Sequence, residues 1–153
     1  QERGLRSGTE NVPGIVGLGA ALENLPDRDT AWRHVSELRN EAWKQIASKI
    51  PDVVLNGSLD TASPYILNIG FPGLRGEVLV HYLENSRVYV STGSACSSRR
   101  RIASHVLEAM GVDPKAADGS IRISFSYLNT HEDVARLVNA LCEAVSDLRL
   151  LMR

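Results

Sequence analysis

The strictest pattern in this chain is a short alternation of apolar and polar residues near its C-terminal end. Ile121, Ile123 and Phe125 are separated by Arg122 and Ser124. Side chains of a β-strand point alternately to the two faces of a sheet, so the apolar set predicts one buried face. Arg122 and Ser124 are expected on the opposite face. A strand of this kind needs a layer of helices over its apolar side.

Helical periodicity supplies that layer. Apolar residues recur at three- and four-residue steps over 29–50, where Pro51 ends the pattern, and in a long final helix. The final helix is preceded by Thr130-His131-Glu132-Asp133, which has the form of a capping box with aspartate in place of glutamate. Shorter helices are predicted after the candidate caps Asn11 and Ser104, over 76–85, and at 113–114.

Three further strands are predicted, at 53–55, 65–71 and 88–90. The first two end at the turn-forming dipeptides Asn56-Gly57 and Pro72-Gly73. The elements therefore follow the order helix, helix, strand, strand, helix, strand, short helix, strand, helix. This order predicts an α/β protein with a two-layer α+β arrangement. Its small, mostly antiparallel sheet has helices packed on one face.

Composition narrows the class of protein. The chain has 153 residues, 43% of them hydrophobic and 23% charged, which is typical of one globular domain or one with a small appendage. A net charge of -1 predicts neither a nucleic-acid partner nor a membrane surface. Cys96 and Cys142 form no CxxC motif and no zinc-spaced pair with histidine, so we expect no metal site and two free thiols in the cytoplasm. The chain opens without an initiator methionine, which suggests a fragment.

The segment around Cys96 is a candidate for chemistry. Small polar residues surround the cysteine, and Arg99, Arg100 and Arg101 follow it. Such residues cannot fill a core, so a surface loop is predicted, with a thiol that nearby guanidinium groups shift toward the thiolate. The alternative is an idle surface cysteine beside a solvated run of charge.

Two other features have a functional and a structural explanation. A guanidinium such as that of Arg122 is suited to holding a carboxylate through two parallel hydrogen bonds, but without further context a surface salt bridge on an open sheet face is the more common explanation. The segment 6–9, which includes Thr9, could cradle a phosphate before the first helix, or simply cap it. The histidines are expected on helix surfaces or at caps: His34, His81, His105 and His131. Cys142 is expected to be a partly buried apolar residue of the last helix.

Four segments together resemble a known family. They are Arg-Ser-Gly-Thr-Glu-Asn at 6–11, the strand at 65–69, Gly-Ser-Ala-Cys-Ser-Ser at 93–98 and Ser-Ile-Arg-Ile-Ser at 120–124. In this order and spacing they look like the C-terminal part of a cysteine desulfurase of the NifS/IscS class. That class belongs to the class V aminotransferases among the fold-type I enzymes of pyridoxal phosphate (PLP). The loop after the cysteine resembles that of the subclass with a mobile catalytic loop.

The resemblance implies a role for three residues. Cys96 matches the cysteine that takes the sulfur of L-cysteine as a persulfide and leaves alanine. Arg122 matches the arginine that binds the substrate carboxylate, and Thr9 the threonine that reaches the PLP phosphate of the neighbouring subunit in a homodimer. The implied partners are a sulfur acceptor or an iron–sulfur scaffold protein. The arginines at 99–101 depart from the usual, more neutral tract.

The resemblance also implies a missing part. Family members hold PLP on a lysine in a Ser-x-His-Lys context, and Lys44, Lys49 and Lys115 have no such context. We therefore expect residues 1–29 to be the tail of a large PLP domain with a linking helix, residues 30–153 to be the small domain, and the fragment alone to be inactive. Two alternatives remain: a non-enzymatic persulfide carrier or docking module, and the small domain of another PLP enzyme, such as a selenocysteine lyase or an aminotransferase relative.

Overall fold

The structure, a computed structural model, describes Gly4 and residues 8–92 and 104–151. Its elements in chain order are α1 (Val12–Glu23), α2 (Arg28–Lys49), β1 (Val54–Leu55), β2 (Ile66–Gly70), α3 (Gly76–Asn85), α4 (His105–Ala109), α5 (Pro114–Asp118), β3 (Ser120–Ser124) and α6 (His131–Leu151).

The described strands form one antiparallel sheet in the order β1-β2-β3. In the register of β2 and β3, Asn68 lies opposite Arg122. On the other side of β3, Ser91 forms an isolated antiparallel bridge, also with Arg122. Arg122 is therefore flanked by paired backbone on both sides, which fixes its position across the sheet.

The core lies on one face of this sheet. Leu67, Ile69, Ile121 and Ile123 point into it and are buried. The apolar sides of α2, α3 and α6 join the same cluster, and burial of each large aliphatic side chain stabilises the fold by about 1.5–3 kcal/mol. This arrangement confirms the predicted small antiparallel sheet with helices packed on one face. The short α5 approaches the opposite face at Gly70, where an added Cβ would meet the backbone of α5.

Local hydrogen bonds explain where the two long helices begin. The Asp27 carboxylate accepts from the Thr30 N–H (2.9 Å), so α2 begins at Arg28. Before α6, the Thr130 N–H donates to the Asp133 carboxylate (3.0 Å) and the Asp133 N–H donates to Thr130 Oγ1 (3.3 Å). The bond from the Thr130 backbone, followed by that from Asn129, lowers the pKa of Asp133. This reciprocal pair confirms the predicted capping box.

The strand predicted at 88–90 is wrong, because this segment is irregular up to the bridge at Ser91. The end of α3 accounts for the difference. Arg87 adopts a positive φ of 56°, and the Val88 N–H donates back to the Leu83 carbonyl (3.1 Å). The backbone of Val88 thus closes the helix instead of pairing with β3. Within residues 86–92 the backbone first pairs with β3 at Ser91, which exchanges two hydrogen bonds with Arg122.

Helix α1 differs from the other long helices. Asn11 caps it as predicted, accepting from the Gly14 N–H (3.1 Å). None of its residues is buried, although Ile15, Leu18 and Leu22 form an apolar side and are 60–63% exposed. An added Cβ at Gly17 or Gly19 would meet nothing within 4 Å. These glycines thus pack closely against no other element within the described part of this chain.

Two histidines expected at helix surfaces or caps connect α2 to the start of α6. His34 is half-buried, and its Nε2 lies 2.9 Å from the Asn129 carbonyl oxygen. His131, the first residue of α6, pairs through Nδ1 with Glu41 of α2. These contacts align the two longest helices on the core.

Arg39 is a buried cation that sequence patterns did not single out. It is 3% exposed and lies on α2. Its guanidinium donates to the carbonyl oxygens of Leu59 (2.6 Å) and Ala62 (3.1 Å) and to Asn40 Oδ1 (3.0 Å). Burial lowers the pKa of Arg39, while the charge of Asp60 acts in the opposite direction. Arg39 thus ties the loop between β1 and β2 to α2.

Replacing Arg39 with methionine is expected to lower the free energy of unfolding by about 3 kcal/mol, because the hydrogen bonds from a buried guanidinium to the loop carbonyl oxygens are lost. Urea unfolding followed by circular dichroism measures the loss. Arg33→Met is the matched control, since Arg33 is exposed on the same helix, and it should change stability by less than about 0.5 kcal/mol. Equal effects of the two variants would contradict the role assigned to the Arg39 hydrogen bonds.

Helices α3 and α6 are joined by a hydrogen bond from the Tyr82 hydroxyl to the Asp147 carboxylate. The pKa of Tyr82 is raised to about 12, mainly because of this hydrogen bond. Because the folded state favours the protonated phenol, the stabilisation is present below the unfolded pKa of about 10 and is lost as the pH rises toward 12.

In a titration of the tyrosine ring carbons by NMR, Tyr82 is expected to ionise near pH 12. Asp147→Ala should bring its pKa back toward about 10, since the acceptor and its charge are gone. Tyr82→Phe assigns the signal. A Tyr82 pKa that stays unchanged in Asp147→Ala would show that the bond is not the cause.

Candidate functional site

The outer face of the sheet presents Arg122 to solvent. Ile121 and Ile123 on either side of it are 0% and 4% exposed, whereas Arg122 itself is exposed. A shift of one residue in register would bury the guanidinium and expose both isoleucines, so the apolar pair fixes the direction of Arg122. The predicted outward direction of this side chain is confirmed.

The Arg122 guanidinium has no anionic partner within 8–92 and 104–151: the ion pairs formed there involve other residues. Nothing in the described part of the chain therefore supports the alternative of a surface salt bridge. A guanidinium held on a rigid strand with its donors open can accept a carboxylate from a ligand.

A network of polar side chains lies beside Arg122, and sequence patterns did not identify it. Asn56, at the end of β1, is 8% exposed. Its Nδ2 donates to Asn68 Oδ1 (2.7 Å) and to Ser120 Oγ (2.8 Å). Ser120 Oγ in turn donates to the Ala116 carbonyl oxygen (2.7 Å). The signal that could have pointed to Asn68 is its place in an otherwise apolar strand, in line with Arg122.

The backbone that leads into the segment with Cys96 lies beside Arg122, because Ser91 pairs with Arg122. Cys96 and the arginines at 99–101 lie outside the described residues, but Ser91 and Thr92 lie within them. The Ser91 N–H donates to the Arg122 carbonyl (3.1 Å), and the Arg122 N–H donates to the Ser91 carbonyl (2.6 Å). The backbone that leads into the cysteine segment is thus anchored to the candidate carboxylate-binding residue.

Thr92 packs against the start of α3. A Cβ added to Gly76 would lie 3.1 Å from the Thr92 methyl carbon and 2.6 Å from the Ser120 carbonyl oxygen. The first of these contacts is tight and the second is closer than real Cβ contacts allow, so only glycine fits at this crossing. The absence of a side chain at Gly76 lets α3, β3 and the base of the cysteine segment come together.

Thr9 lies just before α1 and is exposed. The N-terminal cap of α1 is supplied by Asn11, so Thr9 is not the capping residue. Arg6 and Ser7, the other polar members of the predicted phosphate cradle, lie outside the described residues. The structure therefore leaves the role of Thr9 as a prediction.

The described residues include a candidate for binding the substrate of a PLP enzyme, but no lysine suited to holding the cofactor. Lysines that form Schiff bases work in sheltered sites where burial lowers their pKa. Lys44 and Lys49 on α2 and Lys115 on α5 are all exposed. Arg122 fits the carboxylate end of an amino-acid substrate, while no lysine of the described chain has the surroundings that the cofactor linkage needs.

Other kinds of site find no support in residues 8–92 and 104–151. No cluster of histidine, cysteine, aspartate or glutamate there has the geometry to hold a metal ion. None of the helices in the same residues combines the length and apolar character needed to cross a membrane. Cys142 is half-buried on α6, as predicted.

Comparison with known proteins agrees with this geometry. A model of the class-V aminotransferase family matches residues 1–137. A cysteine desulfurase of a Nostoc species is 41% identical over 152 residues, which make up 99% of this chain and 38% of the relative. A cysteine desulfurase IscS of Clostridium botulinum is 39% identical over 97% of this chain and 38% of its own length.

Solved structures lead to the same family. A NifS-like protein superposes with a TM-score of 0.75 at 38% identity, over 97% of this chain and 37% of that one. The cysteine desulfurase CsdA of Escherichia coli gives a TM-score of 0.72 at 31% identity, over 94% of this chain and 33% of that one. The chain spans 38% of the length of the two curated relatives. It belongs to the class-V aminotransferases, a PLP-dependent family, and is similar over nearly its whole length to cysteine desulfurases of the NifS/IscS class.

Proposed function

We propose that this chain is the C-terminal part of a cysteine desulfurase that converts L-cysteine into L-alanine and a persulfide on Cys96. In this proposal residues 1–29 are the tail of a large PLP domain with a linking helix, and residues 30–153 are the small domain. The unburied apolar side of α1 supports this division, because such a side needs a covering partner. The 38% share of the relatives' length that the chain spans also supports it.

The observation that carries the proposal is the pairing of Ser91 with Arg122. Cys96 follows five residues after Ser91 in the sequence. Five residues span at most about 18 Å even when fully extended. A thiol on such a tether can reach a substrate whose carboxylate is held by Arg122.

Arg122 and Cys96 have separate tasks in the proposed reaction. Arg122 binds the substrate carboxylate, and PLP, held by a lysine outside this chain, supplies an electron sink when bound. The Cys96 thiolate forms a bond to the substrate sulfur as the carbon–sulfur bond breaks. The electron pair stays on the carbon, which gains a proton and becomes the methyl group of alanine. Cysteine and the thiol are thus converted to alanine and the persulfide, with no external oxidant.

The persulfide sulfur then passes to an acceptor protein, for iron–sulfur clusters or thio-cofactors. We propose that Thr9 binds the PLP phosphate of the neighbouring subunit, so the enzyme works as a homodimer. A cytoplasmic enzyme fits this chemistry, because reducing conditions keep the attacking thiol free.

The proposal is tested by measuring alanine released from L-cysteine by the complete polypeptide and by this chain alone. The complete polypeptide should release alanine and show the visible absorbance of lysine-bound PLP. This chain alone should release none and bind PLP weakly or not at all, since it lacks the required lysine. Alanine release by this chain alone would refute the proposed division of labour.

A further inference from the structure

We propose that Asn68 is a second carboxylate-binding residue, whose side-chain amide donates a hydrogen bond to the substrate carboxylate beside Arg122. This inference rests on the proposed function and deepens it. Asn68 and Arg122 are register partners on β2 and β3 and lie on the same outer face of the sheet. The Cβ atoms of such opposite residues are about 4.5–5.5 Å apart, so both side chains can reach one carboxylate.

The direction of the Asn68 amide follows from the hydrogen bonds behind it. Ser120 Oγ uses its hydrogen on the Ala116 carbonyl, so it can only accept from Asn56. The Asn56 amide must therefore turn its Nδ2 toward Ser120, and the same Nδ2 also contacts Asn68. The atom of Asn68 that faces Asn56 is then its oxygen.

With its oxygen engaged, Asn68 turns its NH2 group away from Asn56. Asn68 is half-buried, and no residue within 8–92 and 104–151 accepts a hydrogen bond from its Nδ2. The outer face thus offers two unfilled sets of donors side by side, the amide of Asn68 and the guanidinium of Arg122. An ionised carboxylate accepts only and has lone pairs for both.

The orientation of the Asn56 amide destabilises the fold, because it leaves one of the buried atoms of that amide without a hydrogen-bond partner among the described residues. Asn56 Oδ1 is buried and has no hydrogen-bond partner in the described part of the chain. Rotating the Asn56 amide would not remove the problem, because the unpartnered atom would then be its nitrogen. An unsatisfied buried polar atom destabilises a fold and calls for an explanation. The explanation we infer is that Asn56 orients Asn68 for its ligand.

The kinetic test uses the complete polypeptide and two variants of Asn68. Asn68→Ala removes the donor and should raise KM for L-cysteine about tenfold with little change in kcat, as expected for lost ground-state binding. Asn68→Asp keeps an oxygen toward Asn56 but presents a second oxygen to the carboxylate, so KM should rise about 100-fold. Ser124→Ala is the matched control on the same sheet face and should leave KM unchanged.

A binding test on this chain gives an independent readout. The side-chain amide signals of Asn68 in 15N NMR spectra should shift on addition of L-cysteine. They should not shift with cysteamine, which is the same thiol amine without the carboxylate. Arg122→Gln should weaken the response to L-cysteine.

The outcomes separate the two proposals. Suppose that Arg122→Gln weakens binding of L-cysteine, that both Asn68 variants keep the wild-type KM, and that the Asn68 amide signals do not shift. The role of Asn68 is then refuted and the proposed function stands. If Arg122→Gln and the Asn68 variants all keep the wild-type KM for L-cysteine, the proposed function itself fails.

Discussion

Replacing Cys96 with serine in the complete polypeptide is expected to abolish alanine release from L-cysteine, lowering the rate by about 10⁴-fold or more. Serine keeps nearly the shape of cysteine but cannot form the bond to the substrate sulfur. Its hydroxyl is also far less acidic than a thiol, so little anionic nucleophile is present at neutral pH. Alanine measured by amino-acid analysis gives the rate, and mass spectrometry shows whether an added sulfur remains on the peptide that contains residue 96.

The second cysteine provides the matched control. Cys142 is half-buried on α6, and Cys142→Ser should keep wild-type alanine release and sulfur loading. Cys96→Ser at the wild-type rate would favour an aminotransferase relative, which has no need for a loop thiol. Loss of activity in both serine variants would indicate a general effect of thiol removal instead of a nucleophile at Cys96.

Replacing Arg122 with glutamine is expected to lower kcat/KM for L-cysteine about 10³-fold. Glutamine loses the charge and one of the two parallel hydrogen bonds, each of which contributes about 1.5–3 kcal/mol to a charged partner. Arg122→Lys should recover part of the loss, because lysine restores the charge but not the fork. Steady-state kinetics with L-cysteine measures both variants, and circular dichroism checks that the sheet is intact.

Arg136→Gln controls for the removal of a positive charge elsewhere. Arg136 is exposed on α6 and has no place in the proposed site, so its replacement should leave kcat/KM within about twofold of wild type. A similar effect of the two glutamine variants would mean that net charge, and not carboxylate recognition, governs the reaction. An unchanged KM in Arg122→Gln would remove the basis for placing the substrate on the outer sheet face.

Local patterns were sufficient for the parts of the fold that depend on near neighbours. The alternation around Arg122 predicted which side of β3 is buried, since side chains on a strand alternate whatever the rest of the chain does. The capping box at Thr130 likewise uses groups within three residues of each other. The helical repeats of α2 and α6 define their apolar sides for the same reason.

Contacts between distant residues were not visible in such patterns. From the sequence, Arg39 looks like an ordinary exposed cation of a helix. In the structure the loop from Leu59 to Ala62 covers it and accepts its hydrogen bonds. The predicted strand at 88–90 failed because the end of α3 takes the Val88 N–H. The site follows the same rule: family motifs single out Cys96, Arg122 and Thr9, whereas Asn68 stands out only through its place opposite Arg122.

The amino-acid sequence by itself determined the helices, the buried side of β3 and the outward direction of Arg122, because each depends on periodicity or on caps a few residues apart. Only the tertiary structure decided that Ser91 and Asn68 flank Arg122 and that Asn56 orients Asn68. These relations join residues from separate elements, some more than fifty positions apart in the sequence. Strand register and buried hydrogen bonds are settled when the sheet assembles, and no local pattern encodes them.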